Sequence, residues 1–103
     1  MKRKSYKIRN LERHRKSVFY DDLNTCCYCG STFELTKHEI FEGRNRIHSM
    51  EYGFVLPLCW KCHQKLQEDV EFNKKWKSKA QTYFINYIGT YDDFMNIFRK
   101  NYM

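Results

Sequence analysis

The chain has little of what builds linkers. Its only proline is Pro57, it has four glycines, and no repeat or low-complexity tract interrupts its 103 residues. That excludes a string of domains joined by Pro/Gly-rich tethers and leaves one domain. Long apolar runs are also missing: nothing approaches the roughly 18 residues of a membrane span. The opening MKRKSYKIRN has no apolar stretch of a secretion signal. The expectation is a soluble, intracellular protein without a membrane partner. Disorder is excluded by what is plentiful, a 42% hydrophobic and 17% aromatic content.

Acidic residues are scarce in one place. Residues 1–20 hold Lys2, Arg3, Lys4, Lys7, Arg9, Arg13, Arg15 and Lys16 against Glu12 alone, whereas residues 21–103 balance eleven bases with eleven acids. The net charge of +7 therefore sits in the first fifth of the chain. Residues 1–25 read as a basic N-terminal arm, with a short helix over Asn10 to Tyr20 whose apolar contacts are Leu11, Val18 and Phe19. Cations concentrated in this way contact phosphate backbones without reading base sequence. A solubilising tail has the same form. Arg44 and Arg46 extend the candidate nucleic-acid surface from a polar segment, Arg44 to Glu51, that reads as a loop.

Five cysteines are present, four of them in two close pairs, Cys26/Cys29 and Cys59/Cys62. In a reducing compartment such pairs point to metal rather than disulfides. The spacing Cys-x2-Cys-x29-Cys-x2-Cys supplies four thiolates for one tetrahedral zinc, each about 2.3 Å from it. Cys27 is surplus and reads as a small packed side chain, since using it in place of Cys26 leaves only one residue before Cys29.

Around these pairs the pattern alternates over Phe33 to Phe41, turns at Glu42 and Gly43, and resumes as a strand over Tyr52 to Leu58, with Pro57 at an edge. From Trp60 to Ile88 it becomes helical, with Phe72, Trp76, Ala80, Tyr83, Phe84 and Tyr87 at spacings of three and four. Gly89 stops it, and Thr90 with Asp93 forms a capping box for a last helix through Phe94, Ile97 and Phe98. The expected class is α+β: a β-hairpin and a helix pinned by one zinc between two knuckles, a treble-clef finger with flanking helices over residues 26–103.

His63 follows Cys62 directly. On a helix the next side chain points about 100° around the axis, so His63 is expected to turn from the sulfurs toward the hairpin. There His38 and Glu39 stand side by side, and the expectation is a second site, built of nitrogen and oxygen donors. A hydrogen-bonded structural role is the alternative for both histidines.

The order CxxC, strand ending in an acidic/His pair, strand, CxxCH resembles the HNH, or ββα-metal, endonucleases. HEIFEGRNR at 38–46, Ser49, Tyr52-Gly53, LCWKCH at 58–63 and the terminal IFRKNYM are similar to a small HNH group carried by phages and prophages. The resemblance covers roughly residues 26–103. It implies hydrolysis of a DNA phosphodiester by a single divalent ion, Mg²⁺ or another, in the cytoplasm of a bacterial host, with the zinc structural. His38 falls where the family's first ligand sits, Glu39 on its general base and His63 on its last ligand.

The sequence departs from that pattern twice. Glutamate, with an ordinary pKa of about 4.3, stands where a histidine is usual, and the roles of His38 and Glu39 are open to exchange. Phe54 occupies the place of the middle Asn, for which Asn45 is the candidate substitute. Glu71 is a candidate further ligand. These departures keep alive a rival, a treble-clef module whose nuclease centre has decayed and which binds DNA or a phage or host protein.

Overall fold

The computed structural model describes residues 6–103. Its elements in order are helix α1 (Tyr6–Arg13), strand β1 (Leu35–Glu39), a 3-10 turn (Gly43–Asn45), helix α2 (Arg46–Tyr52), strand β2 (Val55–Cys59), and helices α3 (Trp60–Leu66), α4 (Val70–Tyr87) and α5 (Tyr91–Phe98). The fold is mixed α+β: the two strands form an antiparallel hairpin in which Leu35 faces Cys59, Lys37 faces Pro57 and Glu39 faces Val55. Pro57 is tolerated because a two-stranded sheet has only edges. Its carbonyl accepts the Cys27 N–H at 2.8 Å, which docks the first cysteine pair on the outer edge of β2.

Two cores share the hairpin. The larger joins Ile40, Phe41, Phe54 and Leu56 to Ala80 and Phe84 of α4 and to Phe94 and Phe98 of α5. Gln81, fully buried, ties the C-terminal segment to α4: its amide donates to Asn101 Oδ1 at 2.8 Å and its carbonyl accepts from Tyr102 N at 2.7 Å. The smaller core consists of Leu58, Leu66 and the buried sulfurs of Cys26, Cys59 and Cys62. Three of its five buried members are cysteines, so hydrophobic burial alone contributes little to that end of the molecule.

The expected capping box is present, with Thr90 Oγ1 accepting from Asp93 N and the Asp93 carboxylate accepting from Thr90 N. Three other expectations need correction. Arg44 to Glu51 is not a loop: all of it lies in the 3-10 turn and α2. Ser49 and Met50 are buried there, and Gly53, in the left-handed region at φ +75°, closes the helix. The Ser49 hydroxyl donates to Phe41 O and accepts from Phe41 N, so a residue counted as polar surface is a buried clamp on the core.

The helical run from Trp60 to Ile88 is broken at Gln67–Asp69. Asp69 caps α4 by accepting from Phe72 N at 2.9 Å, and the Asn73 amide donates to the carbonyls of Leu66, Gln67 and Asp69. These side chains satisfy the open ends that a break between helices leaves. The helix placed over Asn10 to Tyr20 lies earlier, at Tyr6–Arg13. Ser17 explains the difference, since its hydroxyl accepts from Phe19 N and Tyr20 N in a turn that competes with helix. Val18 N then donates to Gly53 O at 2.8 Å, and the Phe19 ring packs on Trp76 and Tyr83. Among the described residues no helix is long and apolar enough to cross a membrane.

Candidate metal centre

Cys26 and Cys29 sit on a tight turn: Gly30 N donates to Cys26 O at 3.0 Å, and Gly30 has φ +82°. Cys59 is the N-cap of α3, and Cys62 lies in its first turn. Trp60 N donates to Glu34 O at 2.8 Å, holding the two segments together. The four sulfurs lie within 4.8 Å of one another, and Cys29 and Cys59 are 3.6 Å apart. A zinc about 2.3 Å from each of four sulfurs needs edges of about 3.8 Å, so the cluster is compatible with a structural zinc. Cys27 is outside it and packs between the two cores.

The thiols are prepared unequally. Burial pushes Cys26 up, but backbone hydrogen bonds from Cys29, Cys59 and Tyr28 outweigh it and hold Cys26 at about 6. Cys62 is raised by burial and then by the neighbouring sulfurs. One thiolate therefore forms readily and a buried neighbour resists a second charge; a divalent cation removes that conflict by deprotonating all four.

His63, one residue beyond Cys62, faces β1. Its Nδ1 lies 2.6 Å from Thr36 Oγ1, whose hydroxyl donates to Leu58 O at 2.7 Å. A hydroxyl has one proton to donate, so Nδ1 carries the hydrogen toward Thr36, and Nε2 is the nitrogen not engaged by it. His38, two residues after Thr36 on the same face of the strand, brings its ring to 5.1 Å from that of His63, centre to centre. Two imidazoles that share an ion about 2.1 Å from each nitrogen have ring centres about 5 Å apart at a near-tetrahedral angle. His38 is 5% exposed, and burial first, then the charge of His63, lower its pKa, which keeps it neutral. Thr36 is the member of the site that sequence reading missed, and its signal was the period of two that puts it on the face of His38.

Glu39 does not join the histidines. It pairs regularly with Val55, without a bulge, so its side chain leaves the opposite face of β1. There Oε1 is 2.7 Å from Arg15 Nη2 and 3.2 Å from Arg46 Nε, at ion-pair distance though outside hydrogen-bond angles, and Glu12 Oε2 lies 2.5 Å from Arg46 Nη2. Asn45 is not a substitute for the missing Asn, because its amide donates to Phe98 O at 3.1 Å. Phe54 is fully buried in the aromatic core. Glu71 is exposed on the first turn of α4. Among the described residues the four cysteines alone form a group of three or more potential ligands.

The described cations expected at a phosphate backbone divide into two sets. Arg15 and Arg46 are taken up by Glu12 and Glu39, and Lys7 lies 3.8 Å from Glu51. Arg9, Arg13, Lys16 and Arg44 are exposed. Lys2, Arg3 and Lys4 lie outside the described residues. Compared with known proteins, the chain matches no family model, no curated protein and no solved structure.

Proposed function

We propose that the protein is a metal-dependent DNA endonuclease of the HNH type, built on a treble-clef finger with structural zinc at Cys26, Cys29, Cys59 and Cys62. The observation that carries this reading is the pairing of His38 with His63 beside the sulfur cluster, with Thr36 engaging His63 through Nδ1 alone. His38 and His63 would hold the catalytic ion, which supplies a Lewis acid for the charge that develops on the phosphodiester. Two nitrogen donors suit nickel, cobalt or zinc better than Mg²⁺, which prefers an all-oxygen shell. His38, kept neutral by burial, has the lone pair that either a ligand or a base needs. Glu39, committed to two guanidinium groups, supports the arm instead. Arg9, Arg13, Lys16 and Arg44 are the exposed cations available to DNA phosphates.

Those ion pairs of Glu39, with the near-complete burial of His38, favour one rival, a DNA-binding finger without cleavage. Plasmid cleavage by zinc-loaded protein with added Mn²⁺, Ni²⁺ or Mg²⁺ separates the two. The nuclease reading expects cleavage that His63→Ala reduces by orders of magnitude at unchanged zinc content. Absence of cleavage with every ion, alongside retained DNA binding, selects the rival.

A further inference from the structure

Aromatic rings run without a break from one exposed side chain to another through the two histidines. Centre to centre, Trp60 is 6.5 Å from His63, His63 5.1 Å from His38, His38 6.4 Å from Phe72, and Phe72 6.2 Å from Tyr28. Both ends are open to solvent, Trp60 being 51% and Tyr28 54% exposed. Phe33, 73% exposed, shares with Trp60 a cleft of about 360 Å³ whose other walls are Ser31, Glu34, Cys59 and Lys61. Large apolar rings left on one concave surface mark recognition rather than packing.

The chemistry of the partner follows from what accompanies the rings. Lys61 lines the cleft beside Trp60, and Lys65 Nζ stands 5.4 Å above the Tyr28 ring. Each exposed ring at the ends of this run has a lysine beside it, and an unpaired nucleic-acid strand offers base faces to such rings and phosphates to such lysines. In an intact duplex those faces are already covered by neighbouring bases. We propose that Phe33 and Trp60 form a stacking cleft for an unpaired base, so that the DNA this protein engages is single-stranded or locally unpaired. The contact of Trp60 with His63 then sets an adjoining phosphate beside the histidine pair. That last placement rests on the nuclease reading; the binding itself does not.

The full-length, zinc-loaded protein tests this without added divalent ion, so that nothing is cut. The chain has two tryptophans, and Trp76→Phe leaves Trp60 as the only one. A single-stranded oligothymidylate of about 12 nucleotides should quench its fluorescence saturably. In the otherwise unchanged chain, Trp60→Ala should weaken that oligonucleotide about 10-fold or more and a blunt hairpin duplex less than about twofold. Trp60→Phe should retain most of the affinity, and unchanged zinc content and melting temperature show that the fold is intact. Equal weakening on both DNAs, or no quenching, overturns the proposal; no binding of either DNA also overturns it and leaves the cleft to a protein partner. Stacking on Trp60 without cleavage when metal is added upholds the cleft and removes the nuclease reading. Metal-dependent cleavage of the single-stranded oligonucleotide that is indifferent to Trp60→Ala does the reverse.

Discussion

Thr36 orients His63: its hydroxyl, 2.6 Å from Nδ1, donates its own proton to Leu58 O, so Nδ1 is the nitrogen that donates to Thr36 and Nε2 is the one left to a metal. Metal-binding histidines commonly have this kind of support, in which one nitrogen is anchored so that the other is free.

Removing that anchor should be felt at the second site alone. Thr36→Val is expected to weaken Mn²⁺ or Ni²⁺ binding by about 10- to 100-fold, measured by calorimetric titration of zinc-loaded protein. Thr36→Ser, which keeps the hydroxyl, should bind nearly as wild type. Equal affinities for all three proteins would detach Thr36 from the site.

The cysteine cluster should behave as the core of its end of the molecule. Cys59→Ser is expected to lose zinc and the cooperative thermal transition together, because binding energy of a structural zinc is folding energy. Cys27→Ser should keep one zinc and melt within about 8 °C of wild type, which corresponds to less than about 1 kcal/mol in a domain of this size. Metal analysis with calorimetry checks both, and a zinc loss in Cys27→Ser would redraw the ligand set.

Glu39 answers to stability rather than to metal. Glu39→Gln leaves Arg15 and Arg46 with Glu12 as their remaining shared counter-charge, and the expected loss is about 1 kcal/mol. Metal affinity at the histidine pair should stay within about twofold. Denaturant unfolding and the same titration decide it; a tenfold affinity loss at full stability would put Glu39 back beside His38.

His38 makes stability depend on pH. Burial and the charge of His63 hold its folded pKa below the unfolded value of about 6.5, so the unfolded chain takes up the proton first. The contribution of neutral His38 is therefore full above about pH 6.5 and is lost as pH falls from there toward the folded pKa. Without added second metal, wild-type stability should fall between about pH 7 and pH 5 more steeply than that of His38→Gln, by at most about 1.4 kcal/mol per pH unit. Equal slopes would show that His38 is as readily protonated in the fold as out of it.

Much of the site was legible because it is local. Two residues between cysteines put both sulfurs on one turn, and a single residue of helix carries His63 from the sulfurs toward β1. The Thr90 box needs only the four residues it joins. Segments whose partners are remote in sequence were not legible: Arg46 to Tyr52 looks polar until Ser49 meets Phe41, and the run from Trp60 stays periodic across a break that Asp69 and Asn73 make.

By itself, the sequence determined the sulfur cluster, the mixed α+β class and the direction of His63, since each follows from covalent spacing and helix or strand period. Tertiary structure alone decided the fate of Glu39. Next to His38 in the chain, it is sent by the strand pleat to the other face, where Arg15 from the basic arm and Arg46 from α2 meet its carboxylate. No pattern within β1 announces that meeting, because both partners come from elements distant along the chain.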